Sequence, residues 1–164
     1  MASHPVGPTK ISLSPTARQS LCEILNQALA DLFDLYSQTK QAHWTVRGPN
    51  FWQLHKMFDD IAAAVEGHID ECAERITTLG GMPRGTVRMA GKGSNLPEFP
   101  EKFDDLGHVK LLIERFGPAS NTIRGEIDKA DELGDKDTAD LLTGISRTLD
   151  LQLWFLEAHT RHDG

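Results

Sequence analysis

The sequence predicts an all-α fold, a four-helix bundle with one long central crossover. Apolar residues recur at the i, i+3, i+4, i+7 spacing of amphipathic helices over four long segments. The first and third links between those segments are short, and the second is long and rich in glycine and proline. No segment alternates apolar and polar residues with the period of a strand.

Residues 1–14 are rich in proline, serine and glycine and read as a flexible N-terminal arm. Ser14 followed by Pro15 pairs a good N-cap with a good first helical residue. Leu21, Ile24, Leu25, Ala28, Leu29, Leu32 and Tyr36 then mark a first helix running to about Trp44. Arg47-Gly48-Pro49-Asn50 breaks it, and Asn50 is placed to cap the second helix. That helix carries Phe51, Leu54, Phe58, Ile61, Val65, Ile69, Cys72, Ile76 and Leu79 at the same period, and Gly80-Gly81 stops it. Residues 82–103 form the long connection, with room for a short helical turn. Val109, Leu112, Phe116, Ala119, Ile123, Ile127 and Ala130 mark a third helix, which Gly117-Pro118 should kink. Leu133-Gly134 ends it. Asp135 or Asp137 caps the fourth helix, marked by Leu142, Ile145, Leu149, Leu153 and Leu156. Residues 15–160 thus form the bundle, and 161–164 read as a frayed C-terminus. Four long helices with a central crossover describe a ferritin-like topology.

A chain of 164 residues suits one domain with a real core. Its formal charge of −7 gives no general attraction to nucleic acid or anionic membranes. No apolar run is long enough to span a bilayer, and the first residues lack the apolar core of a signal peptide. Cys22 and Cys72 sit in helical patterns without metal-binding spacing and read as small packing residues in a reducing compartment. The expected location is the cytoplasm, with nucleoid association left open.

Most of the chemical information lies on the second helix. His55 and Asp59 form an H-x3-D pair, and Asp70 and Glu74 form a D-x3-E pair. Residues four apart share a helix face, so each pair can point at one ion. All four fall within about a third of the helix circumference, yet Asp59 and Asp70 lie roughly 16 Å apart along the axis. One copy cannot close a single site with them. Two antiparallel copies can, because the four positions are mirror-symmetric about Ala64 and Val65. A two-fold axis there sets His55 and Asp59 of one chain against the second pair of the other. The small residues Ala62, Ala63, Ala64 and Gly67 would permit close approach. His43, at the end of the first helix, can reach the His55 end.

The competing reading is a solvated charged face, because the ligand face lies roughly 130° from the apolar stripe. Mixed imidazole and carboxylate donors without cysteine suit iron, manganese or zinc. Open coordination positions favour reactive iron over a closed structural zinc. The chain lacks the Glu-x-x-His motif of in-bundle di-iron sites, which places any centre between subunits.

The segments KQAHWTVRGPNFWQLHKMFDD, HIDECAERITTLGG, GTVR and DKDTADLLTGISRTLDLQLWFLE resemble the Dps family, the starvation-induced, DNA-protecting mini-ferritins of bacteria. The likeness spans about residues 15–158. It implies a hollow dodecamer built from dimers, with ferroxidase centres at the dimer interfaces. His43, His55 and Asp59 would come from one chain, and Asp70 and Glu74 from its partner. It implies oxidation of Fe(II), preferably by hydrogen peroxide, and storage of ferric mineral in the cavity, with zinc or manganese able to substitute. Trp44 would stand beside the ligands. Arg75 and Asp150 resemble a family ion pair near the dimer contact. Asp131 and Asp140 lie in a turn resembling the iron-entry pore, although helix capping explains such carboxylates equally well.

Family members that bind DNA often use a lysine-rich tail. Here the ends offer only Lys10, Arg18 and Arg161, so DNA binding should be weak or absent at physiological salt. Glu66 and His68 break the mirror symmetry and read as solvent-facing. His4, His108, His159 and His162 have no partner pattern and read as exposed. Two other functions fit the pattern: a non-enzymatic nucleoid-compacting cage protein, and a helical scaffold with a structural zinc.

Overall fold

The computed structural model describes residues 5–160. Its helices are α1 (Pro15–Thr45), α2 (Phe51–Thr78), α3 (Val87–Gly93), α4 (Leu106–Glu132) and α5 (Lys136–Ala158). The four long helices form the expected bundle, and no strand occurs among the described residues. The hairpins α1–α2 and α4–α5 make the most extensive packing, and contacts of α1 with α4 and α2 with α5 join them. The crossover carries α3 and lies against α1.

The apolar stripes meet in one core. Leu21, Leu25 and Leu29 of α1 pack with Phe58 and Ile61 of α2, Phe116 of α4 and Leu149 of α5, all buried. Each such side chain contributes about 1.5–3 kcal/mol by leaving water. Both cysteines are buried and unpaired, as packing residues should be. Burial pushes the Cys72 thiol up to about 12.

Local chemistry sets most helix ends where expected. The Ser14 hydroxyl accepts from the Ala17 N–H at 3.1 Å, with Pro15 opening the helix. Gly80 and Gly134 close α2 and α4 with φ of +82° and +83°. A Cβ on Gly80 would also stand 2.8 Å from the Gly7 carbonyl oxygen.

Long-range contacts alter several of these expectations. The N-terminal arm is tied down over its described part: Gly7 N–H donates to Gly80 O at 2.7 Å, and the buried Arg18 bridges Gly7 O and Leu79 O. Asn50 occupies the N-cap position of α2, but its side chain does not cap. Its N–H and Nδ2 both donate to the carboxylate of Asp105, a stronger acceptor brought in by the start of α4. Helix α4 runs unbroken from Leu106 to Glu132 through Gly117-Pro118.

His108 is buried rather than exposed. The Thr45 hydroxyl donates to Gln41 O, so it accepts from His108 Nε2 at 3.0 Å, and burial holds the ring's pKa low. Arg75 does not pair with Asp150 within the chain. Asp150 binds Arg124 and Ser120, whereas Arg75 grips Asp135 through both carboxylate oxygens at 2.8 Å. His68 is half-buried rather than solvent-facing: it bridges Glu71 and Thr148 and so links α2 to α5, while Glu66 is exposed. His159 is exposed as expected, and His4, Arg161 and His162 lie outside the described residues.

Asp135 has two tasks. It caps α5 by accepting from Thr138 N–H, and it anchors Arg75 at the end of α2. Burial pushes its carboxyl up, but the Thr138 hydroxyl and the Arg75 guanidinium outweigh burial and hold it below the usual range. Its stabilisation is therefore complete above the unfolded pKa of about 4, and is lost as pH falls through the lower folded value. Asp135→Ala should cost about 2–4 kcal/mol in chemical denaturation at neutral pH, from the lost cap and the stranded Arg75. The gap to the parent should shrink below about pH 4; a gap independent of pH would contradict the charge pairing.

Candidate metal centre

The α1–α2 corner brings His43 and His55 together. The short link returns the chain so that the end of α1 lies beside the first turns of α2. The rings stack at 3.8 Å between centroids, and Phe51 stacks on the outer side of His55 at 5.1 Å. Each imidazole binds the other residue's backbone. His43 Nδ1 lies 2.8 Å from His55 O, and His55 Nδ1 lies 2.9 Å from His43 O.

A carbonyl oxygen can only accept, so both Nδ1 atoms carry the proton. The neutral form of each ring is therefore the Nδ1–H tautomer, which turns the Nε2 lone pair toward an ion. This second-nitrogen tether is the arrangement that orients a metal-binding histidine. Both rings are half-buried.

Asp59 lies one turn after His55. Its Oδ1 accepts from Lys40 Nζ at 2.6 Å, a bond that holds its carboxyl below the usual range despite solvent exposure. Lys40 also lies 5.9 Å from the Trp44 ring centroid, and Trp44 itself is 66% exposed. The Lys40 contact lies outside the residues that the sequence pattern singles out. Its signal was the spacing of Lys40 three residues before His43, which sets both on one face of α1.

Asp70 and Glu74 are exposed three turns further along α2, and neither side chain has a hydrogen-bond partner among the described residues. No three histidine, cysteine or acidic side chains converge into a metal-binding group within the described residues of one chain. A single chain thus presents two separated donor sets on one helix, as the axial distance demands. The small residues between them are graded in exposure: Ala62 is buried, Ala64 half-buried, Ala63 and Gly67 exposed.

The α4–α5 turn holds the other two candidate residues apart from this corner. Asp131 is paired with Lys136 at 2.6 Å, and Asp140 is exposed on the first turns of α5. No helix among the described residues is long and apolar enough to cross a membrane.

The family described as a ferritin-like domain matches residues 22–163. A DNA protection during starvation protein from Agrobacterium fabrum is 41% identical, over 93% of this chain and 95% of its own length. The fold superposes on DpsC from Streptomyces coelicolor with a TM-score of 0.94 and 30% identity, covering 100% of this chain and 96% of that one. It also superposes on the Dps protein of Vibrio cholerae, described as a member of a broad superfamily of ferritin-like diiron-carboxylate proteins. There the TM-score is 0.89 and the identity 29%, over 97% of this chain and 100% of that one.

The tautomer assignment is directly checkable. Neutron diffraction from the metal-free protein at neutral pH should show deuterium on Nδ1 of both His43 and His55 and none on Nε2. Deuterium on either Nε2 would remove that ring from the donor set.

Proposed function

Because the chain belongs to the ferritin-like family, among its Dps members, we propose that it is a ferroxidase that oxidises Fe(II) with hydrogen peroxide and stores the ferric product inside a cage of twelve chains. The observation that carries this reading is the His43–His55 clamp, which ties both Nδ1 atoms to backbone carbonyls and leaves Nε2 of each ring for an ion, with Asp59 one turn after His55 on α2. Fe(II) is the substrate, and neutral imidazole with carboxylate suits it. His43, His55 and Asp59 hold it from one chain, and Asp70 and Glu74 from a second chain laid antiparallel on α2.

The exposed aromatic residues support that second chain. Trp44, Phe51 and Trp52 stand at the same corner at 66%, 43% and 70% exposure. An apolar cluster of that size is stabilised when another surface covers it. Isologous pairing then places two centres at each dimer interface.

The reaction balances without releasing a radical. Two Fe(II) give one electron each to one hydrogen peroxide, whose O–O bond breaks. With two protons, the products are two Fe(III) and two waters. Lys40 holds Asp59 through Oδ1, which leaves Oδ2 of that carboxylate to meet iron. Removing Fe(II) and peroxide together protects DNA from the reaction between them. The cytoplasm is the compartment where both the reduced cysteines and this chemistry fit. Zinc and manganese compete for the same donors without supplying this two-iron oxidation.

Stopped-flow absorbance after anaerobic Fe(II) loading and peroxide addition should show rapid ferric formation and a soluble iron core. A rate no faster than that of buffer would overturn the proposal. Subunit mixing tests the shared site separately. The pair His55→Ala/Asp59→Ala and the pair Asp70→Ala/Glu74→Ala should each abolish fast oxidation. Refolded together, random pairing makes about half the dimers mixed, and each mixed dimer regains one intact site, so about a quarter of the activity should return. Recovery no greater than either parent would exclude a site shared between chains.

A further inference from the structure

Charge is unevenly distributed along this acidic chain. No aspartate or glutamate lies between Glu74 and Glu98, and that stretch carries Arg75, Arg84, Arg88 and Lys92. Arg75 is engaged by Asp135. The other three make no ion pair among the described residues. Arg84 and Lys92 line a cavity of about 360 Å³ between α1 and the crossover.

The frame around those two cations is rigid. Asn26 of α1 accepts from Arg84 N–H at 2.8 Å through Oδ1, while its Nδ2 donates to Cys22 O and Met82 O. Gln27 Nε2 donates to Gly93 O at 3.0 Å, next to Lys92. The chain just before α3 and the last residue of α3 are thereby fastened to adjacent residues of α1. The backbones under the two cationic side chains are positioned before any ligand arrives, which lowers the ordering cost of binding. One carboxylate, Glu23, also lines the cavity, and it accepts from Gln19 Nε2 at 3.3 Å. The lining therefore carries two cations against one anion on a chain whose net charge is −7.

We propose that this cavity is a binding site for a phosphate oxyanion, with Arg84 and Lys92 as its charged donors. Arginine supplies a planar fork matched to phosphate oxygens, and lysine supplies a point charge. The volume admits a phosphate group with part of whatever carries it. The source is either free phosphate or the backbone of a nucleic acid. The site is independent of the iron-binding corner, so it stands or falls separately from the ferroxidase reading.

Titration calorimetry of the assembled, metal-free protein with inorganic phosphate at low ionic strength tests it. Saturable binding is expected. Arg84→Gln and Lys92→Gln should each weaken it about tenfold, the loss of one charge-assisted hydrogen bond. Lys110→Gln, an equal charge change on an exposed residue of α4, should leave it unchanged. Glu23→Gln should tighten binding about threefold by removing the repelling charge. Lys92 is exposed on α3, so its variant serves if Arg84→Gln fails to fold.

A short DNA duplex added to the phosphate complex separates the sources. Displacement that the Arg84→Gln/Lys92→Gln protein does not show assigns the site to nucleic-acid backbone. Saturable phosphate binding without displacement assigns it to free phosphate. The proposal is overturned if phosphate does not bind saturably, if both cation variants bind as the parent does, or if Glu23→Gln weakens binding.

Discussion

Two hydrogen bonds at the α1–α2 corner join the fold to its chemistry. His43 and His55 each donate Nδ1–H to the other's carbonyl oxygen, so the end of one helix and the start of the next hold each other in register. The same bonds decide which ring nitrogen is protonated. The carbonyls need donors and the imidazoles need orientation, and one contact meets both needs. Stacking of the rings at 3.8 Å, with Phe51 behind His55, removes their remaining rotational freedom. A change that opened this corner would disturb the helix hairpin and the proposed metal donors together.

The rest of the bundle serves to keep that corner in place. The parallel bridge between Val46 and Asp104 fixes the end of α1 against the start of α4, and Asp105 binds Asn50 at the start of α2. His108 reaches Thr45 from α4, just beyond His43. At the other end, Arg75 and Asp135 lock α2 to α5. The crossover is held along α1 by Asp31, which accepts from Asn95 N–H, and by Asp34, which accepts from Ser94. Polar residues that look out of place on an amphipathic helix are therefore the fastenings of the long connection.

Features set by local chemistry were legible in the sequence. Ser14-Pro15, Gly80 and Gly134 mark helix ends because capping and left-handed turns depend on adjacent residues. The apolar periodicity placed Phe58 and Phe116 in the core. Contacts made across the chain were less visible. Asn50 reads as a cap until Asp105, far away in sequence, supplies a charged acceptor. His108 has no partner pattern nearby because its partner is Thr45. The resemblance pairs Arg75 with Asp150 near the dimer contact, while within one chain the fold brings Asp135 to Arg75. For the candidate centre, residue identity and spacing on α2 were legible, whereas the reciprocal tether of His43 and His55 and the grip of Lys40 on Asp59 depend on how the hairpin closes.

The proposed centre draws its donors from the two ends of α2 on different chains. Crystals soaked anaerobically with Fe(II) and measured on both sides of the iron absorption edge test it most directly. The account predicts anomalous density between His43, His55 and Asp59 of one protomer and the Asp70–Glu74 pair of its neighbour, twice per dimer. Iron bound wholly within one chain, or density absent from this interface while present elsewhere in the crystal, would contradict it.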